Sequence, residues 1–260
     1  MTHILRLIRA ALKATPAEEG RLIIWFSCGA ASACALKLLA HRNPVAVYCD
    51  TSRGEHSDNL RFMREVEAWT GVPIQSISSA KYKTIEEVFD ARRYMSGVKG
   101  APCTVEMKKV PRFKFQKPDD THVFGMTTDE RKRIAGFEAD NHELKLLWPL
   151  VEAGMSKPDC LRMVEEAGIK LPTKYLQGYS NNNCHGCVKA TSPYYWNLVR
   201  KTDPEVFASR CEQSRRLGAK LVRYKGVRIF LDELPPDSVE VVQEDLSCGP
   251  QCSPTANSST

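Results

Sequence analysis

The chain has 260 residues, 42% of them hydrophobic, with 37 Lys and Arg against 31 Asp and Glu for a net charge of +6. That length buries a full core, one main domain with a smaller appended region, and no apolar run reaches the roughly 18–20 residues that a membrane span needs. Ten cysteines without a recognisable secretory signal point to thiols, metal ligation or redox chemistry rather than a disulfide scaffold, and to a soluble, cytoplasmic protein.

Residues 4–13 are amphipathic and read as a helix within 1–20 that docks on the main domain, although an organelle transit peptide has a similar composition. The apolar run 22–26 then predicts a buried strand. It leads through Ser27-Cys28-Gly29-Ala30-Ala31-Ser32 into a helix-like stretch, 33–40. Small residues between a buried strand and a helix let backbone N–H groups and the helix N-terminus close around an anion, so a phosphate or sulfate is the natural guest.

A second strand, 45–49, ends in Asp50-Thr51, and a helix follows from Ser57, a plausible N-cap, to residue 69. Residues 73–77 predict a third strand, 84–94 a helix, and 104–115 another helix containing or kinked by Pro111. Between Lys81 and Lys117 ten Lys or Arg face four acids, which implies an anionic partner, a nucleotide or a nucleic-acid backbone. Strands at 122–126 and 144–148 and a helix at 157–168 complete a β-α-β-α order. That order predicts an α/β fold, a doubly wound, mostly parallel sheet with helices on both faces and ligands at the carboxyl ends of its strands.

Beyond Pro172 the texture changes to a Gly- and Asn-rich loop at 178–186, helices at 192–200 and 204–217, and a hairpin in which 221–224 and 227–231 flank Lys225-Gly226. Tyr194-Tyr195-Trp196 are packing residues or a stacking surface for bases. The domain order is therefore an N-terminal helix, a main domain over 21–175, a cysteine-containing region over 176–250 and a disordered tail, 251–260.

Cys184-x-x-Cys187 suits zinc, a cluster or a redox disulfide. Together with Cys103 it favours a [4Fe–4S] cluster, whose usual complement is four thiolates, with structural zinc as the alternative. The fourth ligand is Cys160, Cys248 or Cys252; Cys160, at helical spacing with Val164 and Ala167, is equally a core residue.

These residues carry a resemblance over roughly 20–190. Strand-loop-helix with Ser-x-Gly-x-x-Ser, then Asp50-Thr51 with Glu55 and Arg61-Phe62, is similar to the adenine nucleotide alpha-hydrolase superfamily, and within it to the phosphoadenylyl-sulfate (PAPS) and adenylyl-sulfate reductase family. The resemblance implies that Ser27, Cys28, Gly29, Ser32, Asp50 and Thr51 line a nucleotide site. It also implies that Lys108, Lys109, Gly125, Arg131 and Arg133 face the anionic groups. Cys103, followed by Lys108-Lys109 and Pro111, resembles the segment that carries cluster ligands in the iron–sulfur members, and Tyr179 with Cys184-His185-Gly186-Cys187 resembles their cluster loop.

Two departures stand out. ATP pyrophosphatases of the superfamily usually show Ser-Gly-Gly-x-Asp-Ser, whereas this loop has no acid, which leans toward sulfonucleotide chemistry. Thr104 stands where the second cysteine of a pair is found. Cys248-Gly249 resembles the mobile nucleophile segment of the reductases, without its histidine. The implied activity is thiol-dependent reduction of adenylyl sulfate or PAPS to sulfite, with Cys248 as nucleophile and a thiol donor such as thioredoxin. The alternative is an ATP-dependent sulfurtransferase that thiolates nucleic acid.

Overall fold

The computed structural model describes residues 20–51, 54–97, 100–182 and 184–238. Most of the predicted N-terminal helix, the segment holding Cys248 and Cys252, and the tail 251–260 lie outside the described residues. In chain order the first elements are β1 (Leu22–Phe26), α1 (Ala30–Leu39), β2 (Val45–Asp50), α2 (Asn59–Thr70), β3 (Ile74–Ser78) and α3 (Ile85–Arg92). Next come α4 (Pro102–Thr104), a π-helical turn (Val105–Lys109), α5 (Val110–Phe115), β4 (Thr121–Phe124), α6 (Arg131–Asp140) and β5 (Lys145–Leu147). The remainder is α7 (Pro149–Glu152), α8 (Lys157–Glu166), α9 (Thr173–Leu176), α10 (Pro193–Thr202), α11 (Pro204–Arg216), β6 (Val222–Tyr224) and β7 (Val227–Ile229).

These elements divide between two compact units, and the chain passes from one to the other five times. The first unit takes the residues through Cys49, Asp58–Ile77 and Phe113–Pro172; the second takes Asp50–Ser57, Ser78–Arg112 and the residues from Thr173 onward.

The first unit is built on a mostly parallel sheet in the order β3-β2-β1-β4-β5, with β1 parallel to β2 and β4, and β4 parallel to β5. All five residues of β1 are buried, as an unbroken apolar strand requires when both of its faces are covered. Ile23, Trp25, Val47, Cys49 and Phe124 pack with Ile134 and Phe137 of α6. Phe26, pointing the other way, stacks on Phe62 of α2 with ring centroids 6.4 Å apart. The indole of buried Trp25 donates to His122 Nδ1 at 3.0 Å, so the polar atom it carries into the core is satisfied. Among the described residues no helix is long and apolar enough to cross a membrane.

Several boundaries differ from the sequence expectation. Helix α1 starts at Ala30, three residues early, because Gly29 adopts an extended N-cap conformation and small residues fill the first turn. Asp58, not Ser57, occupies the N-cap of α2, and its carboxylate binds Arg61 at 2.7 and 2.9 Å instead of the helix backbone. Helix α6 has only Ile134 and Phe137 buried, too few apolar positions to announce it in the sequence.

The single helix expected over 104–115 is three pieces. Val110 N–H reaches back to Val105 O in the π-helical turn immediately before Pro111. A proline lacks the N–H of a regular turn and its ring presses on the carbonyl four residues back; a widened turn relieves that conflict.

The second unit buries Val88, Phe89 and Met95 with Trp196, Val199, Val222 and Leu231 in one apolar cluster. Tyr195 and Trp196 belong to this core and are packing residues, whereas Tyr194 is exposed. The expected hairpin is present: β6 pairs antiparallel with β7, and Lys225 (φ 46°) and Gly226 (φ 81°) make the left-handed turn that matches strand twist. The basic window 81–117 is not one exposed face, since Lys108 and Arg112 are buried and Arg92 pairs with Glu106.

Candidate functional sites

Strand β1 stands where the strand order reverses, with β2 and β3 on one side and β4 and β5 on the other. In open parallel sheets the carboxyl edge at such a reversal is where ligands sit. The loop Ser27–Ser32 leaves β1 and Gly125 leaves β4 at that edge. A Cβ on Gly125 would lie 2.6 Å from Ser32 N and 2.7 Å from Ser32 Cα, so only glycine lets the strand end pass this close to the first turn of α1.

The loop is pinned by its own hydroxyls. Ser32 Oγ accepts from Ser27 N at 3.1 Å, lies 3.2 Å from Ser27 Oγ and donates to Gly29 O at 2.9 Å. Cys28 is buried and left-handed at φ 55°, a conformation that costs a residue with a Cβ of order 1 kcal/mol or more. The first turn of α1 carries no acid. Its opening N–H groups have no partner within the helix, and the helix dipole adds positive potential there.

After Gly125 the chain enters a capped turn in which Thr127 N donates to Glu130 Oε2 at 3.1 Å. Arg131 is exposed. Arg133 binds Glu130 through Nη1, while its Nη2 is buried with no hydrogen-bond partner among the described residues. A buried donor left unsatisfied costs about 1–3 kcal/mol, so an acceptor from outside the chain is its natural complement. Nearby in the same unit Lys157 is half-buried, and desolvation pulls its ammonium pKa down against the opposing charges of Glu130 and Asp129.

A second constellation lies in the second unit. Cys184 and Cys187 are buried in its apolar cluster, and Cys103 packs against the same cluster, half-buried. Tyr195 staples the cysteine loop: its oxygen accepts from Cys187 N at 2.7 Å and donates to Cys184 O at 3.5 Å. His185 N donates to Gly54 O at 2.9 Å. Cys184 Sγ is 3.9 Å from Glu55 Oε1, which accepts from Lys108 Nζ at 3.0 Å in an ion pair whose side chains are 5% and 8% exposed.

His185 Nδ1 lies 3.1 Å from Asp203 Oδ1, outside hydrogen-bond geometry, and its ring stacks on His56 at 5.1 Å. Burial first, then the neighbouring Lys174 ammonium, brings the His185 pKa down to about 4. Asp203 Oδ2 accepts from buried Lys174 Nζ at 2.6 Å, and Tyr179 Oη is 2.7 Å from Thr202 Oγ1.

Three thiols in one unit, two of them in one short loop, are the donor chemistry of a thiolate-bound metal centre. Among the described residues no three His, Cys, Asp or Glu side chains converge on one point, as a single zinc ion requires. Thiolates are the ligands of a [4Fe–4S] cluster as well as of structural zinc, so the donor set of Cys103, Cys184 and Cys187 is compatible with either group.

The remaining predicted residues are placed as follows. Asp50 ends β2, Thr51 is buried and donates to Glu55 Oε1 at 3.4 Å, and Lys109 is half-buried in the π-helical turn. Cys160 belongs to α8 of the first unit, where its carbonyl accepts from Cys34 Sγ at 3.4 Å. Sequence reasoning missed His56, Lys174 and Asp203, which carry no local motif. No protein-family model matches the chain, and no curated protein matches it.

Proposed function

We propose that the chain is a sulfonucleotide reductase-like enzyme: it binds adenylyl sulfate or its 3′-phosphorylated form and passes the sulfonate to a thiol for release as sulfite. The observation that carries this reading is the close passage of Gly125 over Ser32, which closes an acid-free helix N-terminus against the strand-order reversal of the sheet. An acid-free loop favours a sulfated nucleotide over a magnesium-bound triphosphate, which wants a carboxylate nearby.

In this reading the opening N–H groups of α1 and the Ser27 hydroxyl hold an oxyanion, and Arg133, with Arg131, supplies positive charge. Preorganised donors of this kind stabilise charge as it develops, without reorganisation during the reaction. The Cys248 thiolate attacks the sulfate sulfur, the bond from that sulfur to the bridging phosphate oxygen breaks, and AMP, or its 3′-phosphorylated counterpart, leaves with the bonding electrons. A thiol of an external dithiol donor of the thioredoxin class then attacks Cys248 Sγ. Sulfite departs, and the donor's second thiol resolves the mixed disulfide, so the dithiol supplies both electrons.

A [4Fe–4S] cluster on Cys103, Cys184, Cys187 and a fourth cysteine supplies, when bound, electrostatic and structural support rather than electrons. Glu55 and Lys108 hold the loop side of that centre, and Tyr195 fixes the loop backbone.

The test is release of sulfite with AMP from adenylyl sulfate, or of sulfite with adenosine 3′,5′-bisphosphate from PAPS, by the full chain with a dithiol donor. Sulfite release that Cys248→Ser abolishes is the expected result. Undiminished release in that variant removes Cys248 from the mechanism. Pyrophosphate release from ATP, with no sulfite from either sulfonucleotide, replaces the reading with a nucleic-acid sulfurtransferase.

A further inference from the structure

The solvent face of the β6–β7 hairpin breaks two rules that a purely structural hairpin obeys. From Gly218 to Phe230 the chain carries Lys220, Arg223, Lys225 and Arg228 and no acid. Arg223 and Arg228 stand directly opposite each other in the antiparallel register, where like charges repel. On the other face Val222 is fully buried, and Tyr224 and Ile229 pack against the apolar cluster, so both arginines are left on the exposed side.

The second departure is at the tip. Lys225 holds a left-handed conformation, φ 46°, at a turn position that favours Asn, Asp or Gly. Its ammonium lies 5.2 Å from the Tyr224 ring centroid. The acids that follow the hairpin are engaged by α11: Arg215 binds Asp232 at 2.9 Å and Glu233 at 2.8 Å. Among the described residues Arg223 forms no ion pair.

We propose that this face is a contact for the phosphate backbone of a nucleic acid. Arg223 offers a planar fork that matches phosphate oxygens, which a carboxylate-bearing partner presents less densely, and Arg228, whose Nη1 donates to Leu221 O at 2.7 Å, adds positive charge beside it. A two-stranded ribbon is narrow enough for the major groove of a duplex, and cations along it take up successive phosphates. A lipid surface asks for an apolar face as well, and Val227 is the one strongly exposed large apolar side chain of this ribbon among the described residues. The hairpin belongs to the second unit, and the inference goes beyond the activity proposed for the site of the first.

The experiment is fluorescence polarisation of the full chain with labelled duplex DNA, single-stranded DNA and RNA between about 50 and 200 mM salt. Binding that weakens with salt is expected, with Arg223→Gln weakening it at every sequence and lowering the salt slope by about one. Lys225→Asn is the decisive variant: Asn accepts the left-handed turn, so thermal stability holds or rises while affinity and salt slope fall as for Arg223→Gln. Absence of nucleic-acid binding, unchanged binding in both variants, or equal affinity for polyglutamate or anionic vesicles overturns the proposal. Turnover of free sulfonucleotide is expected to be untouched in both variants, so this inference and the proposed activity fail by different measurements.

Discussion

The Cβ that Gly125 lacks would stand 2.6 Å from the backbone nitrogen of Ser32, with the Ala31 carbonyl carbon 2.9 Å away. All of these neighbours are backbone atoms, so none can swing aside. Gly125→Ala is expected to cost roughly 1–3 kcal/mol by forced overpacking. It is also expected to weaken nucleotide binding at least ~10-fold, since about 1.4 kcal/mol of lost donor alignment is tenfold. Thermal unfolding with calorimetric titration measures both; a folded variant with undiminished affinity would remove the loop from the site.

Arg133 offers a second handle. Its Nη1 is held by Glu130 and its Nη2 is buried without an acceptor among the described residues. Arg133→Gln removes a charged donor worth roughly 1.5–3 kcal/mol to a bound anion, so nucleotide affinity is expected to drop about 10- to 100-fold. The melting temperature should hold or rise, because the variant loses one partly exposed ion pair and with it a buried donor that has no acceptor among the described residues. Equal affinity in wild type and variant, measured with a fluorescent adenine nucleotide, rules the role out.

The Lys108–Glu55 pair is buried on both sides. Lys108→Met leaves the buried Glu55 carboxylate without this cation and is expected to destabilise by about 3–5 kcal/mol, while Lys108→Met with Glu55→Gln recovers most of that loss. Denaturant unfolding of the two variants gives the comparison. A double variant as unstable as the single one would mean that packing, not charge, dominates.

Asp120 ties the start of β4 to the start of β1. Burial acts to raise its carboxyl, and the two bonds from Arg21 with the Lys117 N–H outweigh it, leaving the pKa below the ordinary carboxylate value. A folded pKa lower than the unfolded one, about 3.9, adds stability that is complete above that value and is lost as the pH falls through the folded pKa. Asp120→Asn is therefore expected to be less stable than wild type at pH 7 and to converge on it below about pH 4. A gap that stays constant down to pH 2 would contradict this linkage.

Metal content tests the cysteine loop directly. Anaerobic purification is expected to yield iron and acid-labile sulfide with broad visible absorbance, and Cys184→Ser to lose both. Zinc in place of iron would replace the cluster with a structural site, since thiolates alone do not choose between them.

Much of the first unit was legible before folding. The run 22–26 is apolar at every position, which only a strand covered on both faces needs, and β1 is that strand. The small residues after it announced a tight strand-to-helix passage, and Gly125 answers it from β4. Helix α6 was illegible because two buried residues in ten leave almost no periodicity. The π-helical turn was illegible because Pro111 told of a break without saying on which side the backbone would widen.

Within the second unit the sequence named Cys103, Cys184 and Cys187 but not what surrounds them. Glu55 meets Lys108 across 53 positions and Cys184 across 129, and Asp203 meets Lys174 across 29. No spacing rule reaches that far.

By itself, then, the sequence determined the alternation of strands and helices, the place of the small-residue loop and the turn of the basic hairpin, because apolar period and turn chemistry act between near neighbours. The tertiary structure alone decided that Gly125 closes on Ser32, that Lys108 is neutralised by Glu55, that Trp196 is core and that Arg223 faces Arg228. Each of these depends on which distant segments pack together, a property of the whole chain's burial rather than of any short stretch of it.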